Sequence, residues 1–119
     1  MLAASDARFV VLALGTNDYA PHFGGSYEQL VQRVIAAGKV PVLPRIPWTN
    51  GSPSGHAERI NPQIDAILAR YPQAIAGADL TSVTANRPDL FRGAGDVHPN
   101  TAGQQVIRQA WADMIARVA

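Results

Sequence analysis

The period of the apolar positions changes several times along the chain, and each change marks an element. Phe9-Val10-Val11-Leu12-Ala13-Leu14 is an unbroken apolar run closed by Gly15, the pattern of a strand buried on both faces of a parallel sheet. A helical period follows, with Tyr27, Leu30, Val31, Val34 and Ile35 on one face. Its predicted start is Gly24-Gly25-Ser26, where Ser26 and Gln29 are spaced as a capping box, and Gly38 closes it. Val40-Pro41-Val42-Leu43-Pro44 reads as a second strand whose proline suits a strand start or a sheet edge. Asn61-Pro62 has the form of an N-cap followed by proline at the first helical position, and Ile64, Ile67, Leu68 and Tyr71 supply that helix's inner face. Ala74-Ile75-Ala76-Gly77-Ala78-Asp79-Leu80 is a short third strand, and residues 81–94 read as a long loop. The clearest period comes last, in Val106, Ile107, Ala110, Trp111, Met114, Ile115 and Val118.

Strands alternating with helices predict right-handed crossovers and a parallel sheet in a three-layer α/β/α sandwich. No repeat or low-complexity tract interrupts the pattern, so residues 1–119 read as a single domain. In such a sheet, ligands bind at the carboxyl ends of the strands. Gly15-Thr16-Asn17-Asp18 follows the first strand directly, although the same residues also suit a plain turn. The Pro-, Gly-, Ser- and Asn-rich residues 44–55 follow the second strand and carry Trp48, either a pocket wall or an aromatic packed over the rim. His56 falls in the same polar stretch, where an exposed side chain is expected.

Gly95-Asp96-Val97-His98-Pro99-Asn100 leads into the last helix. Pro99 and the capping residue Asn100 start that helix just past the ring of His98, which holds a titratable group at the helix mouth. A general base has to be positioned before its pKa matters, and this loop meets that requirement.

Composition removes several alternatives. The 47% hydrophobic and 16% charged residues fit a globular chain, and ten Lys and Arg against nine Asp and Glu leave no basic field for nucleic acid or a membrane surface. Cysteine is absent, which excludes disulfides and thiolate metal sites. No metal site, no cofactor and no transmembrane span are expected. Neither GxGxxG nor a Walker A pattern accompanies Gly24-Gly25-Ser26. The first residues lack the pattern of a signal peptide, which leaves the cytoplasm as the default location.

Gly15-Thr16-Asn17-Asp18 and Val97-His98-Pro99-Asn100 with Gly103, at the two ends of this α/β pattern, resemble the third and fifth blocks of the SGNH (GDSL-type) hydrolases. Pro44-Arg45-Ile46-Pro47-Trp48, the helix after Asn61 and Asp79-Leu80 are similar in kind and order to the family's middle. The resemblance implies a flavodoxin-like fold and hydrolysis of short-chain acyl or acetyl esters by a serine nucleophile. It implies that His98 is the general base, that the Asn17 amide donates to the oxyanion, and that Gly15, Asp18 and Trp48 are substrate contacts. A preorganised amide is worth a few kcal/mol to a tetrahedral oxyanion, and an imidazole can take the serine proton and return it to the leaving group.

The chain departs from that pattern in two places. The opening Gly-Asp-Ser block and the second block with its oxyanion glycine are absent, so the sequence resembles the family from its third strand onward, truncated at the N-terminus, with the nucleophile unassigned. Ser5, Ser26, Ser52, Ser54 and Ser82 are present, none in a Gly-Asp-Ser context, and Ser26 reads as a cap. The family's aspartate stands three residues before the histidine, at Gly95 here, whereas Asp96 is two before, either an orienter through an altered loop or a plain loop residue. Without a neighbouring first strand, the strand of Phe9 to Leu14 is expected to present a bare edge and to pair in a homodimer or swapped assembly. The competing reading is a catalytically silent α/β module, or a fragment needing a partner segment to supply the nucleophile.

Overall fold

A computed structural model describes residues 4–18, 20–52 and 56–118. Three strands, β1 (Phe9–Val11), β2 (Val40–Arg45) and β3 (Ile75–Asp79), form a parallel sheet in the order β1-β2-β3. Helices α1 (Ala20–Ala36) and α2 (His56–Arg70) make the two crossovers, the short α3 (Leu80–Thr84) follows β3 directly, and α4 (Thr101–Val118) ends the fold. A right-handed crossover between adjacent parallel strands places α1 and α2 on one face of the sheet, where they pack together, and α4 covers the other face. The result is the expected three-layer α/β/α arrangement.

The main core lies under α1 and α2. Tyr27, Val31 and Val34 of α1 meet Ile60, Ile64 and Ile67 of α2 over Leu12, Leu43 and Ile46. Each fully buried isoleucine contributes about 1.5–3 kcal/mol relative to an exposed one, so this layer carries most of the fold. The smaller core on the other face joins Val42, Ala78 and Leu80 to Met114, flanked by Ile107 and Trp111.

Several boundaries differ from the sequence pattern. α1 begins at Ala20, upstream of Gly24-Gly25-Ser26, so Ser26 sits inside the helix and caps nothing. The Gln63 side chain explains the early start: its Nε2 donates to Ala20 O at 2.9 Å and its Oε1 accepts from Gly24 N at 2.8 Å. One amide thereby spans the first turn of α1, and Gly24 has room for it because it lacks a Cβ.

α2 is described from His56, with Asn61 and Pro62 inside it. The preceding turn is drawn in by Ala57 and Ile60, both buried, so packing overrides the proline signal. Asn61 faces inward instead of capping, accepting from Ile46 N at 3.0 Å and donating to Thr81 Oγ1 at 2.6 Å. His56 is half-buried, its Nδ1 enclosed without a hydrogen-bond partner among the described residues, and not the exposed loop residue expected.

β2 is the central strand, not an edge, despite Pro41 and Pro44. The β2–β3 register slips between Leu43 and Arg45, around Pro44, and there β3 supplies Gly77, where a Cβ would lie 2.8 Å from Pro44 N. Residues 81–94 are not one long loop, since they hold most of α3 and a 3-10 turn over Pro88–Leu90.

β1 is shorter than expected and buried on one face only. Leu12 enters the core, whereas Phe9, Val11 and Leu14 are exposed. The predicted inner face of α4 is likewise half covered: Met114 is buried, and Ile115 and Val118 are open. These two departures have one cause, because α4 covers β2 and β3 and nothing described covers β1 on that side.

Candidate active site

Immediately after β1 the chain turns back, with Leu14 N donating to Leu12 O at 3.0 Å and Asp18 N to Gly15 O at 3.1 Å. The Tyr27 hydroxyl holds this turn from below by donating to Leu12 O at 2.8 Å. Burial pushes the Tyr27 phenol well up, so it stays a neutral donor. Gly15 has φ +129°, and a Cβ there would stand 2.8 Å from Ile60 and 3.1 Å from Ile46. Only glycine fits both the conformation and the space. Asn17 is thereby presented, exposed, at the carboxyl end of β1.

The histidine loop is built from Asn100. Its Oδ1 accepts from Gly103 N at 2.9 Å as the N-cap of α4, and its Nδ2 donates to Asp89 O at 2.7 Å and Phe91 O at 3.0 Å. Phe91 and Pro99 form an antiparallel bridge, and Arg92 N donates to His98 O at 3.0 Å. A Cβ on Gly103 would lie 2.1 Å from Leu90 O, so α4 reaches the Pro88–Leu90 turn only because glycine stands there. The carbonyl of His98 and the Pro99–Asn100 backbone that follows it are therefore held by a strand-like bridge and a helix cap.

Within this frame Asp96 Oδ1 accepts from His98 N at 2.8 Å and lies 2.7 Å from His98 Nδ1. The first contact is an Asx-turn, in which an aspartate curls onto the N–H two residues ahead. The curl carries the same oxygen to the ring, which is how a carboxylate two residues before the histidine reaches it. Gly95, at φ +70°, supplies the left-handed step before it. The hydrogen bonds from the His98 backbone and ring, with the charges of His98 and Arg92, hold the Asp96 carboxyl below the ordinary carboxylate range. An ionised carboxylate only accepts, so Nδ1 carries the proton and Nε2 is the acceptor of a neutral ring. The His98 side chain is 65% exposed, within reach of a reactant.

Asn50, for which the sequence pattern assigns no role, joins this loop to the rim. With φ +54° in the turn after β2, it is buried and donates from Nδ2 to Gly93 O at 2.8 Å and to Asp96 O at 2.9 Å. The Asn50-Gly51 pair is a turn signal that marks the conformation but not the long-range bonds. The loop after β2 thus touches both halves of the candidate site, through Ile46 at Gly15 and through Asn50 at Asp96.

Not every expected site residue converges. Asp18 lines a cavity of about 230 Å³ with Leu14, His22, Phe23, Ser26 and Tyr27. Trp48 packs edge-on to Phe91, with ring centroids 5.9 Å apart, and lines a separate cleft of about 390 Å³ with Arg45, Glu58, Asn61 and Asp65. Arg45 is held there by Asp65 through a two-pronged ion pair, with Asp79 beyond it at 3.5 Å. The structure brings Asp96 and His98 together and places Asp18 and Trp48 in different cavities.

The serines are spread over the molecule. Ser5 Oγ accepts from Ala7 N, Ser82 Oγ donates to Asp79 O, Ser26 lies on α1, and Ser52 follows Asn50 and Gly51 on the rim loop. Ser54 lies outside the described residues. Among the described residues no group of three or more His, Asp and Glu is placed to hold a metal ion, and no helix is long and apolar enough to cross a membrane.

Comparison with known proteins adds one finding. No curated protein and no solved structure matches the chain, whereas the model of the GDSL-like Lipase/Acylhydrolase family matches residues 1–106, spanning both the Gly15 turn and the His98 loop. The chain belongs to the GDSL-like lipase/acylhydrolase family, a family of hydrolases.

Proposed function

We propose that this chain carries the base and oxyanion side of a serine ester hydrolase acting on short-chain acyl or acetyl esters. The observation behind this reading is the Asp96–His98 pair, with one carboxylate oxygen 2.7 Å from Nδ1 and the ring exposed. In the proposed cycle, His98 Nε2 takes the proton of a serine hydroxyl as the oxygen attacks the ester carbonyl. Asp96 stabilises the imidazolium, and the Asn17 amide donates to the oxyanion. The proton then passes from Nε2 to the departing alkoxide, and water repeats the sequence on the acyl-enzyme.

The nucleophile is a serine brought to the rim, from this chain or from a partner segment. On the rim, Ser52 is the described serine nearest in sequence to Asn50, which ties the rim loop to Asp96. Ser5 and Ser82 spend their hydroxyls on local backbone contacts, which favours the second reading, a catalytically silent module.

Labelling with a fluorophosphonate probe, followed by mass spectrometry of the modified peptide, separates the two readings. The hydrolase reading expects one labelled serine, with the label lost in His98→Ala. No label, together with no hydrolysis of p-nitrophenyl acetate above the unfolded-chain background, supports the silent module.

A further inference from the structure

β2 ends at Arg45, and beyond it the backbone is held by side chains. Ile46 N donates to Asn61 Oδ1 at 3.0 Å, Pro47 has no N–H, and Trp48 N donates to Thr84 Oγ1 at 2.9 Å. The Ile46 carbonyl accepts from Thr81 Oγ1 at 2.5 Å, and Thr81 Oγ1 in turn accepts from Asn61 Nδ2 at 2.6 Å. Thr81 and Thr84 stand three apart on α3, and so share one face of that short helix. α3 is therefore a bracket that grips the rim loop through two hydroxyls.

Thr84 forms the outer end of the bracket and is fully buried. Its hydroxyl has one proton, which it donates to Leu80 O, one turn back, at 2.6 Å. That bond fixes the rotor and leaves a lone pair for the Trp48 N–H. Beyond this point the rim loop meets the histidine loop twice. The Trp48 ring lies edge-on to Phe91, which bridges to Pro99, and Asn50 Nδ2 donates to Asp96 O. At the near end of the same stretch the Ile46 side chain lies close to Gly15.

We propose that Thr84 is a positioning residue for the Asp96–His98 pair: by holding the Trp48 N–H it fixes residues 46–50, and through them the placement of the pair against the Gly15 turn. Thr84 itself touches no reactant. Its consequence for turnover rests on His98 acting as the base, as proposed above, whereas the placement of the pair does not. A base displaced by about 1 Å can lose about 10²-fold in rate, so a tether at this distance matters to the chemistry. Valine would fill the same space without accepting a bond, so packing alone does not call for threonine here.

Thr84→Val and Thr84→Ser separate the hydroxyl from the packing. Valine keeps the branched shape and leaves the Trp48 N–H without its acceptor, whereas serine keeps the hydroxyl and loses the methyl. Amide exchange followed by NMR is the first readout, at the His98 N–H that donates to Asp96 Oδ1. In Thr84→Val it is expected to quicken about tenfold relative to Val31 and Ile64 of the main core, and in Thr84→Ser to stay near wild type. Ester turnover is the second readout: kcat is expected to fall about tenfold in Thr84→Val with KM little changed, and to stay near wild type in Thr84→Ser. Far-UV circular dichroism verifies that both variants are folded.

Unchanged His98 exchange in Thr84→Val overturns the proposal. A serine variant as impaired as the valine one also overturns it, because the methyl and not the hydroxyl would then matter. Faster exchange with undiminished kcat confines Thr84 to loop stability and overturns its positioning role. A wild type without ester turnover overturns the hydrolase reading instead, and the exchange comparison alone then decides whether Thr84 places the pair.

Discussion

Asp96 reaches His98 twice with a single oxygen, at 2.8 Å to the backbone N–H and at 2.7 Å to Nδ1. The Asx-turn puts carboxylate and ring in one loop, so the two are positioned together. Asp96→Asn keeps an acceptor for the backbone N–H but removes the charge facing the ring. It is expected to lower kcat by about 10²-fold or more with KM little changed, as the loss of a positioning carboxylate does elsewhere. The measurement is ester turnover by wild type and variant, referenced to His98→Ala.

The same pair fixes the sign of a pH effect. The Asp96 carboxyl is held below its ordinary value, so what it adds to loop stability is present above the unfolded-state value and is lost as pH falls through the folded value. The His98 amide is therefore expected to stay protected from exchange across the neutral and mildly acidic range, and to open only on stronger acidification. Hydrogen exchange followed by NMR at successive pH values checks this, and Asp96→Ala should open the amide at every pH.

Asn100 makes three bonds that no other residue replaces. Loss of an N-cap costs about 1 kcal/mol, and stranding the carbonyls of Asp89 and Phe91 adds to it, so Asn100→Ala is expected to destabilise the fold by about 1–3 kcal/mol. Urea unfolding measures the loss.

Gly103→Ala reverses an ordinary expectation. Alanine in a helix interior gains about 1 kcal/mol over glycine, but the added Cβ would stand 2.1 Å from Leu90 O, and the Leu90 backbone would have to move. Overpacking against backbone costs about 1–3 kcal/mol, so a net destabilisation is expected, together with displacement of the His98 loop. Thermal unfolding gives the sign, and turnover reports the displacement.

Asn50→Gly tests the tie between rim and histidine loop, because glycine keeps the left-handed backbone and deletes only the amide bonded to Gly93 and Asp96. A fall in kcat of about tenfold with a loss of about 1–2 kcal/mol in stability is expected. Turnover and urea unfolding of the same preparation measure both.

Much of this was legible in the sequence, and the rest was not for physical reasons. Strand and helix periods gave the layer order, Asn100 was visible as a cap, and the Gly15 turn and the His98 loop stood out as the candidate site segments that the proposed function uses. Helix starts were missed where a distant side chain overrides local signals, as Gln63 does at Gly24, or where core packing draws in a turn, as Ala57 and Ile60 do ahead of Pro62. The contact of Asp96 with the ring was undecidable from spacing, since it depends on an Asx-turn. Asn50 was invisible as a site residue because its bonds span more than forty positions.

The proposed hydrolysis depends on His98, held by Asp96, acting as the base. Steady-state hydrolysis of p-nitrophenyl acetate by wild type and His98→Gln tests it most directly, with the unfolded chain as background for the remaining histidines. In His98→Gln, kcat is expected to fall by about 10³-fold or more, to that background, while the folded stability of the variant is kept. Equal turnover by the two proteins would contradict it.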